Sequence, residues 1–249
     1  MILALKLLLT PILITLATLA GRRWGPAFSG WFIGFPLTSG PVSVILALQY
    51  GLGFAARAAV GNLGGLACIS MFCLAYTLTA RIRGAGISLA AGVAAYLATT
   101  FTWNLTSMTL MATVLVSTVV NGLVILLIPK GSAPPAAAVP SRWDIPARVV
   151  IATAFVLALT TSARLLGPQL SGLITPFPIF GSVLAVFAHR QQGPAAARHF
   201  LRGHAISLYG FAAFFLVVGG LLLTLPAAPT YLLATLAAVA VNGITLRIT

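Results

Sequence analysis

The sequence predicts an all-α polytopic membrane protein of about nine transmembrane helices, arranged as an inverted-topology internal repeat with helices broken by proline and glycine. Its 249 residues are 60% hydrophobic and only 6% charged, whereas a soluble domain carries about a quarter charged residues. Long apolar segments follow one another along the chain, as membrane-spanning helices require. The third observation is a segment rich in proline and glycine that occurs twice.

The repeated segment runs from Gly25 to Gly61, and the same pattern returns from Gly167 to Gly203. We call the number of sequence positions from Gly25 to Gly167 the repeat offset. Three dipeptides and two single glycines match at this offset without a gap, which indicates an internal duplication. The matched residues are Gly25-Pro26, Ser29-Gly30, Phe35-Pro36, Gly51 and Gly61 in the first copy, and Gly167-Pro168, Ser171-Gly172, Phe177-Pro178, Gly193 and Gly203 in the second. Apolar segments interrupted in this way are typical of transporter binding sites.

Nine apolar segments have roughly the 20 residues that a helix with a rise of 1.5 Å per residue needs to span a bilayer. The predicted spans are residues 3–21, 28–50, 58–80, 85–101, 106–128, 148–165, 169–189, 203–225 and 229–247. We interpret the first span as a membrane helix rather than a signal peptide, because the repeat makes it the counterpart of residues 149–165.

The spans form a first membrane repeat of five spans, residues 1–128, and a second of four spans, residues 148–249. Residues 129–147 join the two repeats, and their proline- and alanine-rich composition predicts an extended cytoplasmic linker rather than a helix.

The basic residues are distributed unequally between the two sides of the predicted membrane. The chain has 14 Lys and Arg and a single acidic residue, and we interpret its basic character as topology signals and lipid contacts rather than nucleic-acid binding. One side collects Arg22, Arg23, Arg81, Arg83, Lys130, Arg142, Arg148, Arg190, Arg198, Arg202 and Arg247; the other collects Lys6, Arg57 and Arg164. Because positive charge marks the cytoplasm, the N-terminus is predicted to be periplasmic and the C-terminus cytoplasmic.

An odd number of spans in the first half makes the second copy start from the opposite side of the membrane. Spans one to four then match spans six to nine, and span five is the extra crossing that inverts the second copy. This is the inverted-topology repeat of many secondary transporters.

The second copy resembles the GlpM family of small bacterial inner-membrane proteins. The resemblance covers about residues 146–247 and is carried by Ser171-Gly172-Leu173-Ile174, Phe177-Pro178 and Ala188-His189. The first half keeps the Phe-Pro pair but has Ala47 where the second has His189. The resemblance implies a bacterial inner-membrane location and about four spans per unit, so the chain looks like two such units fused. It implies no activity for any residue.

The candidate binding residues lie at the two predicted helix breaks. They are Pro36, Thr38, Ser39, Gly40 and Pro41 in the first copy, and Thr175, Pro176, Pro178 and Ser182 in the second. Proline removes a backbone donor and disrupts helical bonding, and freed backbone groups inside a membrane must face protein or a water-filled cavity. Two interpretations follow: two broken helices meet at a central site, or two kinked helices pack closely and Ser and Thr bind the freed carbonyls.

Three further polar residues are candidates for the site. Asn62 and His204 align across the repeat, each directly after a matched glycine, and either bind substrate or make structural hydrogen bonds inside the bundle. Arg202 is predicted to attract an anion at the cytoplasmic mouth, with a topology role as the alternative. No metal or other cofactor is expected, since His189, His199 and His204 lack the spacing and companion ligands of a compact site.

The absence of acidic residues from the spans argues against several classes of function. The only acid is Asp144, so paired carboxylates cannot be assembled, catalysis is not expected, and a cationic substrate would find no negative partner. We expect a small permease or carrier for an anionic or lipid-phosphate substrate. The alternative is a non-transporting membrane subunit that assembles with or stabilises a partner membrane protein. Expected partners are lipids, the substrate, and a second copy or another membrane protein.

Overall fold

The structure, a computed structural model, describes residues 31–129 and 144–246, together with Ile12, Thr15, Leu19, Arg23 and Phe28. Most of the predicted first span, the start of the first copy at Gly25 and most of the predicted linker lie outside the described residues. The described chain is helical and contains no strand. Its helices are α1 Ser39–Tyr50, α2 Leu52–Thr79, α3 Ala85–Asn104, α4 Leu110–Leu127, α5 Asp144–Ile174, α6 Ile179–Gln192, α7 Pro194–Leu221 and α8 Ala227–Thr245.

Five of these helices, α2, α3, α4, α7 and α8, are long and apolar enough to cross a membrane. By contrast, α1 has 12 residues and α6 has 14, which at 1.5 Å per residue gives about 18–21 Å. A bilayer core is about 30 Å thick. The described chain therefore has the helices of a membrane protein, and α1 and α6 are too short to cross alone.

The helix bounds recur at the repeat offset that the sequence pattern shows. Helix α2 covers residues 52–79 and α7 covers residues 194–221, while α3 begins at Ala85 and α8 at Ala227. Helices α1 and α6 end at Tyr50 and Gln192, which are separated by the same offset. The counterpart of α5 would fall largely outside the described residues.

The predicted spans leave residues 51–57 and 190–202 as loops, and this prediction is wrong. A single residue, Gly51, separates α1 from α2, and Gly193 alone separates α6 from α7. Their φ/ψ values, 88°/164° and 86°/176°, fall in a region that only glycine occupies readily. One glycine therefore redirects the chain without a loop, and the basic residues assigned to these loops, Arg57, Arg198 and Arg202, belong to α2 and α7.

Helix α5 is divided by Gly167, whose φ/ψ of 74°/171° is not helical, and Pro168 begins its second part. This geometry is close to that of Gly51 and Gly193, so α5 consists of two helical parts that meet at a kink. Predicted span seven is thus divided between the second part of α5 and the short α6. Helix α5 also begins at Asp144, inside the stretch predicted as linker.

The long helices α2 and α7 form the centre of the bundle. Most of their residues are buried, whereas less than a third of the residues of α3, α4 and α8 are. The exposed side chains on these outer helices are large and apolar, such as Phe101, Leu126 and Leu232. Large apolar surfaces of this kind need lipid contact, which agrees with membrane insertion.

Contacts along the bundle show that α2 and α7 run in opposite directions. At one level, Asn121 of α4 accepts a hydrogen bond from Ser70 of α2 and donates one to the carbonyl of Ala205 in α7. At another level, Gly219 of α7 packs close to Ala59 of α2. Since α2 advances from residue 59 to 70 while α7 returns from 219 to 205, the two central helices are antiparallel.

Candidate functional site

The second helix break is a tight turn centred on Pro178. The Phe177 N–H donates to the Ile174 carbonyl at 2.9 Å, and the Ile179 N–H donates to the Phe177 carbonyl at 2.8 Å. Pro178 has φ −80° and ψ 59°, the geometry of an inverse γ-turn. Proline suits this position because it fixes φ and has no N–H to leave unpaired. Helix α6 then begins with the Ser182 N–H donating to the Pro178 carbonyl at 2.6 Å.

The first break makes the same backbone hydrogen bonds at the matched positions of the first copy. The Phe35 N–H donates to the Phe32 carbonyl at 3.3 Å, and the Leu37 N–H donates to the Phe35 carbonyl at 2.7 Å across Pro36. The Gly40 N–H donates to the Pro36 carbonyl at 2.8 Å and starts α1. Both copies therefore build one local structure, which the matched Phe-Pro pairs encode.

The two breaks line one small cavity of about 30 Å³, which has room for about one or two water molecules. Its lining comes from both breaks and from the two central helices. The lining residues are Ile33, Gly34, Phe35, Thr38 and Ser39 of the first copy, Pro176, Phe177, Pro178, Ile179 and Gly181 of the second, and Ile69, His204, Leu208 and Phe211 of α2 and α7.

Much of this lining consists of residues in matched positions of the two copies. Four pairs related by the repeat offset contribute together: Gly34 and Pro176, Phe35 and Phe177, Ser39 and Gly181, and Ile69 and Phe211. The cavity therefore lies where the two copies meet.

Each break is held against the central helix of the other copy. A Cβ atom on Gly34 would overlap the side chain of Ser207 in α7, and a Cβ atom on Gly65 in α2 would overlap the ring of Pro176. The repeat offset matches Gly34 with Pro176, and it matches Gly65 with Ser207. The two contacts are thus equivalent under the repeat. In the first contact the glycine lies in the break and its neighbour in the central helix, and in the second contact the glycine lies in the central helix and its neighbour in the break.

The first break presents a hydroxyl group to the cavity. Thr38 precedes α1 and makes no side-chain capping bond. Ser39, the first residue of α1, is 2% exposed and lines the cavity. Among the described residues its hydroxyl has no hydrogen-bond partner. A helix N-terminus carries a partial positive charge of about half a unit, and the N-terminal residues of both α1 and α6 line this cavity.

His204 of α7 also lines the cavity. It is buried, and its ring lies nearly parallel to that of Phe200 with the centroids 6.3 Å apart. A Cβ atom on Gly181 would lie 3.6 Å from the His204 Nε2. The imidazole is therefore held directly beside the start of α6.

Two predicted hydroxyls are used inside the protein. The Thr175 hydroxyl donates to the Ser171 carbonyl and the Ser182 hydroxyl donates to the Pro178 carbonyl, both four residues back. This is the close-packing role of the second interpretation. The second copy therefore ties its hydroxyls to backbone, whereas the first copy leaves Ser39 at the cavity.

The predicted residues Pro36, Gly40 and Pro41 line a different space, an apolar groove of about 310 Å³ between the first break, α7 and α8. Ala238 lies in this groove, at the position that Tyr96 occupies in the first copy. The Tyr96 ring packs edge-on to Phe177, with centroids 4.9 Å apart. A tyrosine thus covers the second break, and the groove remains beside the first.

Asn62 and Arg202 do not line the cavity. Asn62 is buried and its Nδ2 donates to the Ala58 carbonyl at 2.9 Å, so of the aligned Asn62 and His204 only the histidine reaches the breaks. The Arg202 Nη1 donates to the carbonyls of Ile125 and Ile128 at 2.6 and 2.9 Å. The guanidinium therefore binds the C-terminal carbonyls of α4, which have no partners within that helix.

The sequence interpretation did not include the apolar lining residues, above all Phe35, Phe177, Ile69 and Phe211. The signal for two of them was present, since Phe35 and Phe177 belong to the repeat. For Ile69 and Phe211 the same offset applied beyond the matched segment would have found the pair.

Comparisons of this chain with protein-family models, with curated proteins and with solved structures find no match. The class of the protein consequently rests on features of its described residues: a helical bundle with five membrane-length helices and a small cavity between two helix breaks.

Proposed function

We propose that this chain is a small membrane permease that moves an anion through the cavity between its two helix breaks. The observation that carries this proposal is that the N-terminal residues of α1 and α6 line one cavity. Both helix ends attract negative charge. The single acidic residue of the chain is Asp144, outside the breaks, so no carboxylate competes for these positive ends.

The proposed architecture is nine spans with an inverted repeat. Two observations support it: the helix bounds recur at the repeat offset, and the matched helices α2 and α7 are antiparallel. In inverted-repeat transporters, one repeat rocks against the other around a site between them. The cavity that both breaks line is the proposed site.

The proposed location is a bacterial inner membrane, with the N-terminus in the periplasm and the C-terminus in the cytoplasm. The unequal distribution of basic residues supports the orientation. The resemblance of the second copy to the GlpM family supports the compartment.

The size of the cavity favours a small anion over a lipid phosphate. A volume of about 30 Å³ corresponds to one or two water molecules, which is closer to a small anion than to a phosphate group with its glycerol. The alternative, a non-transporting subunit, makes no use of a polar cavity between two breaks and predicts that the purified chain moves no anion.

Anion flux into liposomes that contain the purified chain tests the proposal. The variant Gly181→Val should fill the cavity and abolish most of the flux. A Cβ atom added to Gly181 would lie 3.6 Å from the His204 Nε2, and valine adds two further methyl groups. Gly86→Val is the matched control, since Gly86 in α3 has open space around it. Both variants should elute as monodisperse, folded protein. If no anion enters faster than into empty liposomes, the permease function is rejected and the subunit alternative remains.

A further inference from the structure

The charge available at the cavity is at most about one elementary positive charge. Each helix N-terminus is equivalent to about half a charge when its N–H groups are free, but the Gly40 N–H donates to the Pro36 carbonyl and the Ile179 N–H donates to the Phe177 carbonyl. A monovalent anion would come closest to balance there. A divalent anion would leave at least about one negative charge unpaired in an apolar interior, and an unpaired buried charge is strongly unfavourable.

The volume of the cavity leads to the same class of ligand. A space of about 30 Å³ accepts a single atom, or about two atoms of the size of a water oxygen. A monatomic anion matches this space better than tetrahedral oxyanions such as sulfate and phosphate, which have five heavy atoms. An ion that enters must also leave its hydration shell behind, so the protein has to supply replacement donors.

Two hydroxyl groups in the described lining have no hydrogen-bond partner among the described residues, those of Thr38 and Ser39, and Ser39 is the more buried of the two. The Ser39 hydroxyl is buried at the cavity without a hydrogen-bond partner among the described residues. One turn later in α1, the Ser43 hydroxyl is equally buried but hydrogen-bonded to the Tyr231 hydroxyl at 2.9 Å. Ser39 is therefore the hydroxyl of α1 that remains available to a ligand.

Two aromatic rings complete the surroundings. Phe35 and Phe177 line the cavity from matched positions. Each makes an edge-to-face contact with a neighbouring aromatic ring, Phe35 with Trp31 and Phe177 with Tyr96. Phenylalanine rings carry a positive edge and no acceptor atom, so they can border an anion without competing for the hydroxyl proton.

We infer that the cavity selects a dehydrated monovalent anion of halide size and that the Ser39 hydroxyl donates directly to it. This inference rests on the proposed function, because it names the substrate class of the same site. It adds a ligand class and a ligating residue that the anion-permease proposal alone does not require.

The flux of an anion panel tests the ligand class. Fluoride, chloride and bromide are compared with sulfate, inorganic phosphate and glycerol 3-phosphate in liposomes that contain the wild-type chain. Halide flux should exceed the flux of each polyatomic anion at least tenfold. Faster flux of phosphate or sulfate than of any halide would overturn the inference, while the chain would remain an anion permease.

Matched serine variants test the ligand role. Ser39→Ala should lower halide flux about tenfold, the effect of removing one hydrogen bond to a charged group. Ser43→Ala, at an equally buried position in the same helix, should keep wild-type flux per folded molecule, and Ser39→Thr should restore most of the flux. Equal flux in Ser39→Ala and Ser43→Ala would overturn the role of Ser39.

A binding measurement separates this inference from the proposed function. A ligand that binds only the folded state raises the melting midpoint. The midpoint of detergent-solubilised protein should rise with sodium chloride but not with sodium sulfate at equal ionic strength, and Ser39→Ala should reduce the rise. A chloride-dependent midpoint without any flux would support the halide site and reject the permease. The inference would be overturned if chloride left the melting midpoint unchanged and the chain also showed no halide flux.

Discussion

The backbones of Gly61 in α2 and Gly172 in α5 are in direct contact. A Cβ atom added to Gly61 would lie 2.9 Å from the Gly172 Cα, and one added to Gly172 would lie 2.8 Å from the Gly61 Cα. One helical turn further, Gly65 packs in the same way against Pro176. Small residues four apart let membrane helices approach closely. This contact fixes the end of α5, and hence the second break, against α2.

We predict that Gly61→Ala destabilises the protein by about 1–3 kcal/mol, the usual cost of extra volume in a packed core. The added methyl group would meet backbone atoms of α5, which cannot rotate away as a side chain can. The matched control is Gly53→Ala in the same helix, where the nearest atom is Arg57 Nη1 at 3.7 Å. That variant should be neutral or more stable, because alanine favours helix by about 1 kcal/mol over glycine. Thermal melts in detergent measure both, and equal midpoints would contradict the backbone contact.

A second prediction concerns the tyrosine that covers the second break. The Tyr96 hydroxyl donates to the Leu173 carbonyl at 2.6 Å, and both residues are fully buried. Tyr96→Phe keeps the ring but leaves that carbonyl unpaired. We expect a loss of about 1 kcal/mol, since hydrogen bonds between membrane helices average about 0.6 and reach about 1.7 kcal/mol.

The control for Tyr96→Phe is Thr102→Val in the same helix. The Thr102 hydroxyl is exposed and bonds only within α3, so its loss should change stability by less than about 0.5 kcal/mol. A Tyr96→Phe variant that melts like Thr102→Val would show that another group satisfies the Leu173 carbonyl.

The sequence predicts the breaks and their equivalence because proline and glycine act on the backbone locally. Pro36 and Pro178 restrict φ and remove a donor wherever they stand, so matched Phe-Pro pairs give matched turns. The repeat offset also holds for helix bounds well beyond the matched dipeptides, such as the starts of α3 and α8.

The partners of individual polar groups could not be predicted, because they lie far away in the sequence. The Tyr96 hydroxyl and the Leu173 carbonyl are separated by 77 residues. Hydroxyl groups at the breaks look alike in the sequence, yet Thr175 and Ser182 bond to backbone while Ser39 lies at the cavity. Only the three-dimensional neighbours distinguish these cases.

A third prediction concerns Arg202, which the sequence suggested as a charge at the mouth. Its guanidinium binds the carbonyls of Ile125 and Ile128 at the end of α4, where a positive charge is favoured by the helix dipole. We therefore expect Arg202→Gln to lower stability by about 1–3 kcal/mol, the range for hydrogen bonds to charged groups. Anion flux per folded molecule should stay near the wild-type value.

Arg83→Gln is the control for Arg202→Gln, since Arg83 is exposed in the turn after α2 and should be silent in a thermal melt. The opposite result for Arg202→Gln would be an unchanged melting midpoint and an anion flux that falls in a salt-dependent way. That result would support a role of Arg202 in substrate capture.

The last prediction tests the inverted repeat at two matched positions. Ile82 follows α2 and Thr224 follows α7, the repeat offset relates them, and both are exposed. In a direct repeat the two positions would face the same side of the membrane. Because α2 and α7 are antiparallel, we expect Ile82 and Thr224 on opposite sides of the membrane. The basic neighbours Arg81 and Arg83 indicate that Ile82 is in the cytoplasm.

Single cysteines at these positions, in a chain with the buried Cys68 and Cys73 changed to alanine, can be labelled in intact cells with a membrane-impermeant maleimide. Thr224→Cys should react from outside, and Ile82→Cys should react only after the membrane is permeabilised. Labelling of both from the same side would contradict the inverted repeat and, with it, the alternating-access part of the proposed function.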